Sequence, residues 1–154
     1  MTYEEIRNEW DETTEISFSE FVNIGKAILQ VYPMIVLVNL TKNTYTMIRN
    51  EGFLCRDMKT SGCYDDLIDD NLENVHPNYQ KLFYQCFSRE QLLQSYKEGK
   101  TEVYAEIYQK NKQGQYHWVS AQVIRIESES GDIMHICLNR VLDEINEKRY
   151  SQRK

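Results

Sequence analysis

TEVYAEIYQKNKQGQYHWVSAQVIRI, Thr101 to Ile126, decides the fold, because two strand-like runs here flank a polar connector that carries one glycine, Gly114. The stretch reads as a long β-hairpin. On the first arm Val103, Ala105 and Ile107 alternate with Glu102, Tyr104, Glu106 and Tyr108. On the second, His117, Val119, Ala121 and Val123 alternate with Trp118, Ser120, Gln122 and Ile124. Period-two alternation gives each arm two different faces. One is small and aliphatic, as a core-facing surface should be. The other mixes tyrosine, tryptophan and Ile124 with charges, which predicts that another part of the chain or a partner covers it in part.

Upstream, Thr2 and Glu5 have capping-box spacing, with Tyr3, Ile6 and Trp10 near one side, so a short helix is expected over residues 2–10. Ser17 and Glu20 repeat the box, flanked by Ile16 and Phe21 at hydrophobic-staple positions. Phe18, Phe21, Val22, Gly25, Ile28, Leu29 and Tyr32 then follow helical spacing up to Pro33. This predicts an amphipathic helix of about four turns, and the aromatic face of the hairpin is the surface available to it. MIVLVNL, residues 34–40, is apolar on both parities and suits a central strand covered on both sides. A turn at Thr41 to Asn43 leads to a second strand, Thr44 to Arg49. Residues 50–62 have weak periodicity and two glycines, Gly52 and Gly62, and read as a loop or irregular element.

From Tyr64, Leu67, Ile68, Asn71, Leu72 and Val75 recur at helical spacing while Asp65, Asp66, Asp69, Asp70 and Glu73 point elsewhere, a solvated face. The Asp/Asn spacing and glycine of an EF-hand loop are missing, so no metal is expected. His76 and Pro77 start a further helix whose stripe is read as Tyr79, Leu82, Phe83 and Cys86. Ser88 and Gln91 cap another, which stops at Gly99. After the hairpin, residues 133–141 read as a last strand. Leu138, Leu142, Ile145 and Arg149 at 4-3-4 spacing mark a helix that leaves the domain.

The totals narrow the function classes. A chain of 154 residues, 41% hydrophobic and 27% charged, suits one domain with short extensions. A net charge of −6 without a clustered basic face argues against a nucleic-acid partner. No apolar run approaches the ~18 residues that span a bilayer, and the start, TYEEIRNEWDETTE, lacks the basic-then-apolar pattern of a leader. No membrane contact is expected. Cys55, Cys63, Cys86 and Cys137 are scattered without a CxxC, which points to reduced thiols in a cytoplasmic chain. Only Cys55 and Cys63 are close in sequence, and a disulfide stays open.

The order of elements, together with VHPNY (Val75 to Tyr79), EIYQKNKQGQYHWV (Glu106 to Val119) and ICLNRVLDEINEKR (Ile136 to Arg149), resembles the PAS modules of bacterial signalling receptors. In that family the hairpin commonly reads E-x-R-x-x-x-x-D-G-x-Y-x-W-V, and the exit helix begins with an acidic turn like Asp143 and Glu144 here. Gln113 replaces the usual aspartate and Tyr108 the frequent arginine. The resemblance implies an α+β, PAS-like (profilin-like) fold. It has a five-stranded antiparallel sheet, short helices on one face and an N-terminal amphipathic helix. It divides the chain into a helical extension (1–32), a sensory domain (33–142) and the start of a signalling helix (143–154).

The resemblance further implies a non-catalytic sensor or interaction module joined to an output domain outside this chain, a histidine kinase or a diguanylate cyclase. Neither a GGDEF-like run nor a phosphate-cradling glycine loop is present. Flavin is not expected, since FLCRDM (Phe53 to Met58) shares only Cys-Arg with the flavin-binding GxNCRFLQ signature. Haem is not expected either, since NYQKLFYQCFSREQLL holds no histidine. His76 is read as a helix-start residue. His117 and His135 lie on strands, where they either face one another or fill the sheet, and a structural role is expected of both.

A small-molecule pocket, its guest unknown, would lie between the sheet and the short helices. The strands would contribute Val36, Val38, Val103, Ala105, Ile107, Val119 and Ala121 to it. Leu72, Leu82, Phe83 and Cys86 would face them. Close packing of these side chains is the preferred reading, and no polar constellation is expected among them. A homodimer is expected, with Phe18, Phe21, Ile28 and Leu29 of the amphipathic helix and Tyr104 and Trp118 of the hairpin as interface candidates. The alternative is a small cone-shaped α+β enzyme with a buried carboxylate base such as Asp66 or Glu106.

Overall fold

The computed structural model describes residues 2–13, 15–51 and 59–142. The exit segment 143–154 and the FLCRDM stretch, with Cys55 and Arg56, lie outside the described residues. Contacts divide the chain into two units, Met1–Tyr32 and Pro33–Lys154.

The first unit holds two helices, α1 (Tyr3–Thr13) and α2 (Phe18–Leu29). The capping box of α1 is reciprocal: the Thr2 N–H donates to Glu5 Oε2 at 3.0 Å and the Glu5 N–H to Thr2 Oγ1 at 3.1 Å. Ser17 caps α2 by accepting from the Glu20 N–H at 3.0 Å. The turn between them is closed by the Trp10 indole N–H donating to the Ile16 carbonyl at 3.0 Å and by Trp10 packing on Phe21, ring centroids 4.6 Å apart. At 12 residues α2 is about three turns long, not four. The chain leaves the helix through Gln30 before Pro33 is reached.

The second unit is one antiparallel sheet with helices packed on one of its faces. Its strands are β1 (Met34–Asn39), β2 (Thr44–Asn50), β3 (Ser61–Cys63), β4 (Glu102–Lys110), β5 (Tyr116–Ile126) and β6 (Met134–Val141), in spatial order β3-β2-β1-β6-β5-β4. Among the described residues the sheet thus has six strands rather than five. The extra one, β3, falls in the stretch read as irregular, because a three-residue SGC segment carries almost no strand propensity of its own. It forms through its partner. Gly62 pairs with Tyr45, and a Cβ at Gly62 would sit 3.3 Å from Tyr45 Cε1, so the glycine lets the ring lie over the edge strand.

β1 is central, and Ile35 and Val36, of opposite parity, are both buried. The hairpin β4/β5 pairs in register with Val103 opposite Val123, Ala105 opposite Ala121 and Ile107 opposite Val119. These residues face the core. Gly114 turns the hairpin at φ 78°.

Three helices cover that face: α3 (Tyr64–Leu72), α4 (Pro77–Phe87) and α5 (Arg89–Lys97). His76 caps α4, its Nδ1 accepting from the Asn78 N–H at 3.1 Å, with Pro77 in the first turn. Ser88 caps α5 in the same way through Gln91. The stripe of α4 differs from the reading Tyr79, Leu82, Phe83, Cys86. Phe83 and Phe87 are the buried pair, Tyr79 and Cys86 flank them half-buried, and Leu82 is 41% exposed. With Phe83 and Phe87 one turn apart and facing inward, Leu82 lies about 100° round the helix from Phe83 and faces out.

Candidate functional site

Between the core-facing side of the sheet and the helices lies a cavity of about 40 Å³. Of the pocket residues expected from parity, Val36, Val38, Phe83 and Ala121 line it. Val103, Ala105, Ile107 and Val119 belong to the same core without lining the cavity. Leu72 and Cys86 pack on that core half-buried, and Leu82 faces outward.

The cavity wall also carries a polar cluster that the sequence reading does not foresee, although Asn71 belongs to its expected α3 stripe. Asn71 of α3, Gln109 of β4 and Asn139 of β6 all line it, the last two being 6% and 7% exposed. Gln109 continues the Val103-Ala105-Ile107 parity, and Asn139 shares the inward parity of His135 and Cys137, so each is inward by register. Sequence spacing could have flagged each singly. Their convergence depends on tertiary pairing. Buried Oδ1 of Asn71 has no hydrogen-bond partner, and the Asn139 amide donates to Cys137 Sγ at 3.3 Å.

Around the cavity the titratable groups are held neutral. Burial pushes the Cys137 thiol up to about 11, against a smaller opposing effect of the Asn139 hydrogen bond. Burial likewise holds the Tyr64 phenol well above its ordinary value, and the Cys137 and Tyr96 groups add to the effect. The Tyr64 hydroxyl donates to the Phe87 carbonyl at 2.6 Å, tying the start of α3 to the end of α4. His135, fully buried, lies beside Tyr64 and Tyr96, and desolvation brings it down to about 4. His135 pairs with Val38 and Arg125, and His117 with Gln109, so the two histidines do not face one another.

The aromatic face of the hairpin is covered in part by the start of α4. A bridge between Val75 and Gln109 and the His76 N–H donating to the Tyr108 carbonyl at 2.8 Å attach this segment to the β4 edge. Tyr79 then meets Trp118 edge-on at 5.1 Å, while Tyr108 stacks on Tyr116 at 5.2 Å. Among the interface candidates, Phe21, Ile28 and Tyr104 are exposed, and Phe18, Leu29 and Trp118 are half-buried.

Asp66 and Glu106 are both exposed, which places neither carboxylate in an apolar pocket. Among the described residues no helix is long and apolar enough to cross a membrane. No group of three or more metal-ligating side chains comes together among them either.

No family model matches the chain, and no curated protein matches it. Solved structures do. A sensory box histidine kinase/response regulator from Burkholderia thailandensis superposes with a TM-score of 0.53 at 10% identity, covering 84% of this chain and 92% of that one. The N-terminal domain of a diguanylate cyclase with PAS/PAC sensor from Marinobacter aquaeolei gives 0.45 at 13% identity, over 71% and 94%.

Proposed function

We propose that this chain, whose fold is PAS-like, is a non-catalytic sensory and protein-interaction module of a larger bacterial signalling protein. In this reading it lies in the cytoplasm ahead of an output domain, a histidine kinase or a diguanylate cyclase, and passes its signal through residues 143–154. One observation carries the reading. β6 supplies Cys137 and Asn139 to the cavity wall, and directly after it the Leu142 N–H donates to the Trp118 carbonyl at 2.9 Å. A displacement at the cavity therefore has a single strand to cross before it reaches the exit segment. The enzyme alternative has less to recommend it, because its base needs an apolar surrounding and both candidate carboxylates face solvent.

The chain works as a homodimer in this reading, through the exposed apolar side of α2 that includes Phe21 and Ile28. Sedimentation of the parent and of Phe21→Asp tests this: a dimer that the substitution dissociates supports it, and monomers in both cases remove it. The output is tested by placing the chain ahead of a diguanylate cyclase catalytic domain and inserting successive residues after Lys154. Cyclase activity should vary with a period of about 3.6 residues if a helix transmits the signal. Activity indifferent to both the insertions and the presence of the module would remove the sensory reading.

A further inference from the structure

Three carboxamides from three separate elements meet at one small cavity whose remaining wall is largely apolar. Such an arrangement is costly unless something answers it. A buried acceptor without a partner, as Asn71 Oδ1 is, forfeits the hydrogen bonds it makes to water in the unfolded chain, and such groups in a folded interior call for a physical reason. Asn139 directs its amide at a thiol sulfur, a weak acceptor that a better one can displace.

We propose that this cavity recognises a small uncharged molecule that presents a hydrogen-bond donor and an acceptor side by side, as a primary carboxamide does, with Asn71, Gln109 and Asn139 as its partners. Among the described residues, no aspartate, glutamate, lysine, arginine or histidine lines the cavity. An ion entering there would lose its hydration and find no opposite charge. A carboxamide wall offers both N–H donors and a carbonyl acceptor, so the matching guest has both. The remaining wall, with Val36, Val38 and Ala121, suits a methyl-sized apolar body. Water answers only the polar part. A volume of about 40 Å³ holds roughly three or four non-hydrogen atoms. The proposal takes its biological purpose from the sensory reading, while its chemistry stands on the cavity alone.

Acetamide, acetate and acetamidinium share one shape and differ in charge. Each is titrated at millimolar concentration into the full chain labelled with 15N, and the side-chain amide signals of the three residues are followed. Acetamide should shift all three saturably, and the two ions should bind about tenfold more weakly or not at all. Gln109→Met, nearly isosteric, and Asn71→Leu, on the half-buried α3 position, should each weaken acetamide about tenfold, with backbone spectra showing that they are folded. If none of the three probes saturates, the cavity holds water only and the proposal fails. It fails equally if all three bind alike, or if both folded variants bind acetamide as the parent does. The linker-insertion assay needs no ligand. A failed titration beside a periodic linker response thus removes the ligand class alone, and saturable acetamide binding beside a flat response removes the sensory reading alone.

Discussion

The Tyr96 hydroxyl lies 3.3 Å from Nδ1 of His135, joining α5 to β6 through two side chains closed to solvent. The other ring nitrogen, Nε2, is buried without a hydrogen-bond partner, so an imidazolium would carry one N–H with no acceptor. Desolvation accordingly holds His135 at about 4, below its ordinary 6.5. In the unfolded chain it titrates near 6.5, so between the two values the unfolded state binds more protons. The contribution of His135 to stability is therefore full above pH 6.5, falls as pH drops through the window and levels off below about 4. At ~1.4 kcal/mol per pH unit the loss is on the order of 3 kcal/mol. Urea denaturation from pH 7 to pH 4 should show it, and His135→Gln should flatten that part of the curve relative to the parent. Parallel curves for the two would sink the assignment.

Leu82 and Phe83 are adjacent in sequence and opposite in environment, 41% and 6% exposed. Phe83→Ala removes a ring that lines the cavity and packs on Phe87 at 5.5 Å, and should cost about 3–5 kcal/mol. Leu82→Ala should stay within about 0.5 kcal/mol. Equal losses in thermal or urea unfolding would mean that α4 is rotated.

Ser88 ends α4 and caps α5, its hydroxyl accepting from the Gln91 N–H at 3.4 Å. Ser88→Ala should destabilise by about 1–2 kcal/mol. Ser88→Asp, which restores an acceptor, should recover part of that if the cap is the cause, while an alanine variant as stable as the parent would show that the cap is idle.

The features legible in the sequence are those whose physics is local. His76 and Ser88 cap through partners two and three residues away, and the hairpin faces follow from alternation along one strand. Features that arise between elements were not legible. β3 exists because Gly62 tolerates the Tyr45 ring, the phase of α4 is set by what Phe87 meets, and Asn71, Gln109 and Asn139 become neighbours of one cavity only once α3, β4 and β6 are assembled. The aromatic face of the hairpin is not left wholly to water. Its cover includes His76 and Tyr79, brought there by a backbone attachment to the β4 edge that no side-chain pattern announces.

Gly114 separates a backbone effect from a packing effect. Its φ is 78°, in the left-handed region, and a Cβ placed there would meet no atom within 4 Å. Any penalty on substitution is then conformational. Asn visits that region readily, so Gly114→Asn should lie within about 0.5 kcal/mol of the parent, while Gly114→Val, β-branched, should lose about 1–2 kcal/mol. The Asn111 side chain already receives the Gln113 and Gln115 N–H groups at 2.9 Å each, which holds the turn geometry whichever residue follows Gln113. Urea midpoints of the two variants give the comparison, and asparagine as damaging as valine would mean that the turn does not adopt this conformation in solution.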